Sequence, residues 1–343
     1  MDEQPGIGLR FIVFGVPRSG TVGLAQALNL HPDVLCAAER FSYRADHSRI
    51  VYPRSFLEAP RVAHGEDRRT AQKASALIAR KGAVRYAGNK NPRYYLTLDQ
   101  VNAQVPGLRN LLIYRSPYGF IQSWNRREQA HVESGWNAGN IGLFGFLDLI
   151  VCLDNVARRD DVFMFPYERG LNESPEPVLE ALAFIGADPD RYDVDRFAGK
   201  TLPKLRANPS RVPLAPHELR FLERVRAAEL DDLIGSYCGF VTPRLAFEIK
   251  AYLTEITPSL PGAIDDAFQA SGSISARPYG ARYVHRHRRE LEGLLAMTQG
   301  SDFMAEIQRF GAVKRLRYAY AQRRRAVRRA TSLRWVREPS LRS

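Results

Sequence analysis

Residues 10–30 read RFIVFGVPRSGTVGLAQALNL, and this stretch decides the fold class of the chain. Its first part, residues 10–16, is an apolar run rich in β-branched and aromatic side chains, which is typical of a strand buried on both faces of a sheet. Its last part, residues 21–30, spaces apolar side chains at helical intervals and ends before His31 and Pro32. The stretch therefore predicts a buried strand, a short loop and a helix.

The same alternation of strand and helix recurs twice further along the chain. Residues 108–114 (LRNLLIY) predict a second buried strand, followed by a helix over about residues 118–127. Residues 162–167 (VFMFPY) predict a third strand, and Ser174 with Pro175 predicts the start of another helix. Strands that alternate with helices predict an α/β fold with three layers and a mainly parallel sheet.

Net charge divides the chain into two parts. The 343 residues include 50 Lys and Arg against 37 Asp and Glu, a net charge of +13 at pH 7. Residues 241–343 hold 19 basic and 9 acidic side chains, so +10 of the total lies there. We therefore predict an α/β domain over residues 1–240 and a basic, mostly helical C-terminal extension over residues 241–343, whose charge suggests an anionic partner.

The cysteines and histidines indicate no metal site and no disulfide framework. The 3 cysteines lie far apart and form no CxxC pair. Four histidines lack metal-ligand spacing and are interpreted as surface residues: His47, His64, His285 and His287. Residues 1–16 lack the features of a signal peptide, and the apolar residues 141–156 are interpreted as a buried helix rather than a membrane span. We expect a metal-free, cytoplasmic protein.

The loop from Gly15 to Thr21 has the composition of a P-loop-like phosphate site. Backbone N–H groups and the positive end of the following helix bind anions in such loops. In the Walker pattern GxxxxGK[ST] a lysine follows the second glycine, whereas here Thr21 follows Gly20 and the cation is Arg18. The second strand ends in Arg115, where a kinase would need an acidic residue for magnesium. These residues favour a donor with a second anionic group and no metal.

Two motifs of the chain resemble those of PAPS-dependent sulfotransferases. Residues 15–34 (GVPRSGTVGLAQALNLHPDV) look like the 5'-phosphosulfate loop of that family. Residues 113–127 (IYRSPYGFIQSWNRR) look like its 3'-phosphate motif, in which an arginine and a serine stand eight residues apart. Residues 165–188 are similar to a further segment of the family, which has Tyr-Glu, a proline-containing turn and a helix that ends in a Phe-Ile-Gly type stop. The resemblance covers roughly residues 8–190 and leaves the last third of the chain largely unmatched.

This resemblance implies an enzyme that transfers a sulfuryl group from PAPS to a hydroxyl and releases PAP, with no metal. Arg115 and Ser123 would bind the 3'-phosphate, and Arg18 would also neutralise charge on the oxygen between phosphorus and sulfur. Where the family has a second hydroxyl residue this chain has Val22, so one side-chain contact is lost. The residues implied to bind the 5'-phosphosulfate are Pro17, Arg18, Ser19, Gly20, Thr21 and Val22.

A general base must accept the proton of the acceptor hydroxyl. Glu39 is our candidate, because glycan-type members of the family have a glutamate at about this distance from the loop cation; a solvated carboxylate is the alternative. Lys90 matches a lysine in the segment where phenol and steroid enzymes have a histidine base, and it could touch the transferring group or the acceptor. The family's late Arg-Lys-Gly motif is missing, which leaves Arg206 and Arg211 as weak candidates for the lid.

Glu39 and the basic extension favour a saccharide, glycolipid or other large acceptor over a small phenol. Two alternatives stay open: a kinase-like P-loop enzyme that uses ATP and magnesium, and a non-catalytic relative whose nucleotide site is vestigial. Residues 312–337 hold ten basic and no acidic side chains, which indicates either a solvated face or a helix on an anionic membrane surface. The nearly neutral charge of residues 1–240 argues against nucleic acid as a partner.

Overall fold

The computed structural model describes residues 6–58, 76–78, 81, 83–130, 141–203 and 212–270. Several residues of the sequence predictions lie outside these ranges, and the predictions about them stay untested. They are the basic residues 312–337, the lid candidates Arg206 and Arg211, and the histidines His64, His285 and His287.

Strands and helices alternate through most of the described chain. The strands are β1 (Ile7–Phe14), β2 (Val34–Ala38), β3 (Val51–Tyr52), β4 (Tyr86–Lys90), β5 (Arg109–Tyr114), β6 (Val162–Pro166) and β7 (Gly239–Phe240). The α-helices are α1 (Thr21–Leu28), α2 (Arg54–Glu58), α3 (Leu98–Gln104), α4 (Pro117–Ala130), α5 (Ile141–Val156), α6 (Glu176–Phe184), α7 (Val194–Arg196), α8 (Pro216–Arg224), α9 (Ala227–Ile234), α10 (Pro243–Ile256) and α11 (Leu260–Ala270).

The strands form one mixed, mainly parallel sheet in the order β2-β4-β1-β5-β6-β7. Strands β2, β4, β1, β5 and β6 pair in parallel, β7 pairs antiparallel with β6, and β3 pairs antiparallel with β1. Lys90 at the end of β4 lies opposite Val13 of β1 and Ala38 of β2. The carboxyl ends of these three strands therefore meet at one edge of the sheet, where α/β proteins bind ligands.

Apolar side chains cover both faces of the sheet, which gives the fold three layers. In β1, Ile12 and Phe14 pack into a cluster with α4, α5 and α8 to α11, while Phe11 and Val13 pack into a second cluster with α1 and α6. All four side chains are buried. The prediction of an α/β fold around a strand buried on both faces is confirmed, because this alternation places apolar side chains on each face.

The first part of the predicted C-terminal extension packs on the α/β core. Leu245 and Ile249 of α10, with Leu260 and Ile264 of α11, are buried in the cluster that contains α4 and α5. Residues up to 270 therefore share the core of the α/β domain, and the division of the chain at residue 240 stays a prediction. Within the described ranges, no helix combines the length and the apolar character that crossing a membrane requires.

Helix α5 carries a carboxylic acid into the apolar core. The Asp148 side chain is buried, and its Oδ1 accepts a hydrogen bond from Tyr95 Oη at 2.5 Å. Burial raises the pKa of Asp148 to about 7, against the smaller lowering effects of the Tyr95 hydrogen bond and of Arg93.

We expect Asp148→Asn to stabilise the protein at about pH 8 and to change its stability little at about pH 4 or below. Because the folded-state pKa is raised, the free energy of unfolding of the wild type falls as the pH rises from about 4 to about 7, by at most about 4 kcal/mol. Asparagine has no proton to lose and keeps an oxygen for Tyr95. Urea unfolding at several pH values measures the effect. A variant with the pH dependence of the wild type would contradict it.

Candidate active site

The backbone of the loop between β1 and α1 is held in conformations that favour glycine. Gly20 has a φ of 97° and Arg18 a φ of 79°, both in the left-handed region. A Cβ atom on Gly20 would stand 2.3 Å from the ring of Tyr167, so only glycine fits there. A non-glycine residue such as Arg18 costs energy in this region and persists where its surroundings hold it, often at functional sites.

Direct contacts join the two predicted motifs. Arg18 Nε donates a hydrogen bond to Ser123 Oγ at 3.0 Å, across 105 residues of sequence. Arg115 Nη1 donates to the Arg18 carbonyl oxygen at 3.1 Å, and its guanidinium lies 4.3 Å from the centre of the Tyr167 ring. The structure thus brings Arg18, Arg115 and Ser123 together, whereas the sequence connects only the last two by their spacing.

Positive charge is concentrated around Arg18. Burial lowers the pKa of Arg18 to about 10, with further lowering from the charges of Arg127, Arg115 and Arg126. Arg18 is still protonated at neutral pH, and a bound anion would relieve the repulsion between these side chains. Arg126 and Arg127 stand three and four residues after Ser123 and so share its face of α4, a spacing that could have identified them from the sequence.

A buried hydroxyl in the loop has the chemistry of an anion ligand. Ser19 is fully buried, and its Oγ has no hydrogen-bond partner within the part of the chain that the structure describes. Buried polar atoms are nearly always paired, so such an atom calls for a partner. Thr21 is also buried, whereas Val22 is 47% exposed. Together with Gly20 and Arg18, Ser19 fits the oxygens of a phosphate or sulfate group.

Glu39 and Lys90 meet at the sheet edge where the loop leaves β1. Lys90 Nζ donates to Glu39 Oε1 at 2.5 Å, and the Glu39 backbone N–H donates to the Lys90 carbonyl oxygen at 2.6 Å. The Lys90 side chain is 2% exposed and that of Glu39 is 57% exposed. Glu39 has a φ of 55°, so this carboxylate, like Arg18, stands on a left-handed backbone. The pair thus joins a buried cation to a carboxylate that solvent can reach.

Buried amide and imidazole groups support the segment after Glu39. Asn89 Oδ1 accepts hydrogen bonds from the backbone N–H of Arg40 at 3.1 Å and of Phe41 at 3.3 Å. Asn89 Nδ2 donates to Tyr94 Oη at 2.5 Å, and that hydroxyl also hydrogen-bonds His47 Nε2 at 3.1 Å. The prediction that His47 lies on the surface was wrong. His47 is 1% exposed, and its ring completes this network.

The described ranges contain no set of three or more His, Cys, Asp and Glu side chains that could hold a metal ion. The arrangement of the site can bind anions through Arg18, Ser19 and Arg115, and it can move a proton through Glu39.

Comparison with known proteins gives matches in sequence and in structure. No family model matches the chain. The nodulation protein NoeE of Sinorhizobium fredii is 30% identical over 210 residues, which cover 52% of this chain and 50% of that protein. The chain thus spans about half the length of the curated relative it matches.

Two solved sulfotransferase structures align with this chain at low identity. A sulfotransferase from Alicyclobacillus acidocaldarius aligns at a TM-score of 0.38 and 16% identity, over 66% of this chain and 96% of that one. The sulfotransferase domain from the curacin biosynthetic pathway aligns at a TM-score of 0.38 and 15% identity, over 75% of this chain and 98% of that one. Both of these structures carry the name of the family that the two motifs resemble.

Proposed function

We propose that this protein is a PAPS-dependent sulfotransferase that acts on a hydroxyl of a saccharide, glycolipid or other large acceptor. The observation that carries the proposal is the joined cationic site, in which Arg18 contacts Ser123 and Arg115 contacts Arg18. A donor with a 5'-phosphosulfate and a 3'-phosphate needs two anion sites side by side. Arg and Ser side chains with backbone N–H groups suit both.

Each donor group would be bound by a different set of residues. Residues 17–22 would hold the 5'-phosphosulfate, with the unpartnered Ser19 Oγ as one hydrogen-bond donor. Arg115 and Ser123 would hold the 3'-phosphate. The charges of Arg126 and Arg127, which act on Arg18, add to the attraction for a polyanionic nucleotide.

The proposed reaction exchanges one bond to sulfur for another. A bond forms between the acceptor oxygen and sulfur, and the bond between sulfur and the bridging oxygen breaks, so that PAP leaves with the negative charge. Arg18 stabilises that charge. Glu39 takes the acceptor proton, while Lys90 fixes one of its carboxylate oxygens at 2.5 Å. The exposure of Glu39 supports a large acceptor that approaches from solvent.

Titration calorimetry with PAP and ADP, without magnesium, tests the proposal. The two nucleotides have the same number of phosphates, and PAP carries one of them on the 3'-oxygen. We expect the protein to prefer PAP, and Arg115→Ala to weaken PAP binding by about tenfold to a hundredfold, because a hydrogen bond to a charged group is lost. ADP binding should change little.

Other binding results would favour one of the two alternative functions. Binding of ATP that requires magnesium, without binding of PAP, would favour the kinase-like enzyme. No nucleotide binding, combined with vesicle binding that depends on residues 312–337, would favour the non-catalytic relative. A cytoplasmic location and contact of this segment with an anionic membrane stay predictions.

A further inference from the structure

Helix α9 places a carboxylate behind the end of strand β5. Tyr114 Oη donates a hydrogen bond to Asp231 Oδ1, and Ser116 Oγ donates one to Asp231 Oδ2, both at 2.5 Å. Tyr114 and Ser116 are the two neighbours of Arg115 in the chain. One carboxylate therefore holds the chain on both sides of the arginine that we assign to the 3'-phosphate.

Both hydrogen bonds favour the ionised form of Asp231. Burial raises the pKa of Asp231, and the hydrogen bonds from Ser116 and Tyr114 oppose that effect. Tyr114 is itself buried, at 1% exposure, so its hydroxyl depends on a partner inside the protein. The hydrogen bond between Tyr114 and Asp231 is therefore part of the protein interior.

The surroundings of Arg115 leave it little room to shift. Its Nε lies 3.9 Å from Glu168 Oε1, and a Cβ atom on Gly119 would stand 2.9 Å from the same nitrogen. Its guanidinium is also held over Tyr167 and against the carbonyl of Arg18. A small displacement of the backbone at residue 115 would disturb all of these contacts together.

We infer that Asp231 is a positioning residue of the 3'-phosphate site, which acts through Tyr114 and Ser116 to hold Arg115 in place. The inference rests on the proposed function and deepens it. No spacing pattern in the sequence connects Asp231 with Arg115, since the two stand 116 positions apart.

The test compares the affinities for PAP and for AMP, which differ only by the 3'-phosphate. We expect Asp231→Asn to lower PAP affinity about tenfold, since misplacing Arg115 weakens a charged hydrogen bond, and to change AMP affinity much less. Asp232→Asn is the matched control, because it removes the same charge from the next, exposed residue of α9. That variant should bind both nucleotides as the wild type does. If Asp231 had a purely structural role, Asp231→Asn would weaken the binding of PAP and of AMP alike.

A double-mutant cycle keeps the test informative if Asp231→Asn is unstable. Ser116→Ala and Tyr114→Phe each remove one hydrogen bond and should each reduce the preference for PAP over AMP. In an Arg115→Ala background, the same changes should have no further effect on PAP affinity.

The outcomes separate this inference from the proposed function. A wild type without preference for PAP over AMP would overturn the 3'-phosphate site, and with it the proposed function. A preference that Arg115→Ala abolishes, but that the Asp231, Ser116 and Tyr114 variants retain, would overturn only the inference about Asp231.

Discussion

Replacing Arg18 with alanine is expected to lower the rate of PAP formation from PAPS by about a hundredfold to a thousandfold, as for removal of one preorganised donor to a developing negative charge. Arg18 is half-buried, carries a charge beside Arg115 and Arg127, and contacts Ser123 at 3.0 Å. Its guanidinium is therefore fixed before the donor binds. Single-turnover kinetics at saturating PAPS measure the chemical step apart from binding.

Two further variants control the Arg18 experiment. Arg18→Lys keeps the charge but loses the planar guanidinium, so it should recover part of the rate. Arg10→Ala removes an exposed arginine of β1 and should keep the full rate. If Arg18→Ala retained the rate at saturating PAPS, Arg18 would serve binding alone, and its assigned role in the reaction would be wrong.

Glu39→Gln is expected to lower kcat by about a hundredfold or more and to leave PAP affinity unchanged, because general-base catalysis contributes on that scale. Glutamine keeps the shape of the side chain and an oxygen for Lys90, but it cannot accept the acceptor proton at neutral pH. Steady-state rates with an active acceptor, together with titration of PAP, separate the two effects.

The Glu39 experiment needs a control for charge and for folding. Asp195→Asn removes an exposed carboxylate in α7 and should not change kcat. Thermal unfolding of Glu39→Gln checks that Lys90, whose side chain is 2% exposed, tolerates a neutral partner. A folded Glu39→Gln variant with the wild-type kcat would mean that Glu39 is a solvated carboxylate and that another group is the base.

The positions of the catalytic candidates also explain where sequence reasoning about the site was incomplete. Nothing in the sequence connects Glu39 with Lys90, and their contact follows from the parallel pairing of β2 with β4, which places Ala38 opposite Lys90. The contacts of Asp231 with Tyr114 and Ser116, and the burial of His47, depend on helices and loops that meet only after folding. Such contacts leave no regular spacing in the sequence.

Local sequence patterns were sufficient to predict the strand, loop and helix at residues 10–30. They also identified Arg18, Arg115 and Ser123 as candidate anion-binding residues. Strand alternation and helix periodicity act over a few residues, and a phosphate loop is defined by adjacent backbone groups. The strand order β2-β4-β1-β5-β6-β7, the contact of Arg18 with Ser123 and the support of Arg115 by Asp231 came from the tertiary structure. These features depend on which apolar faces pack together, and that packing brings together residues more than a hundred positions apart.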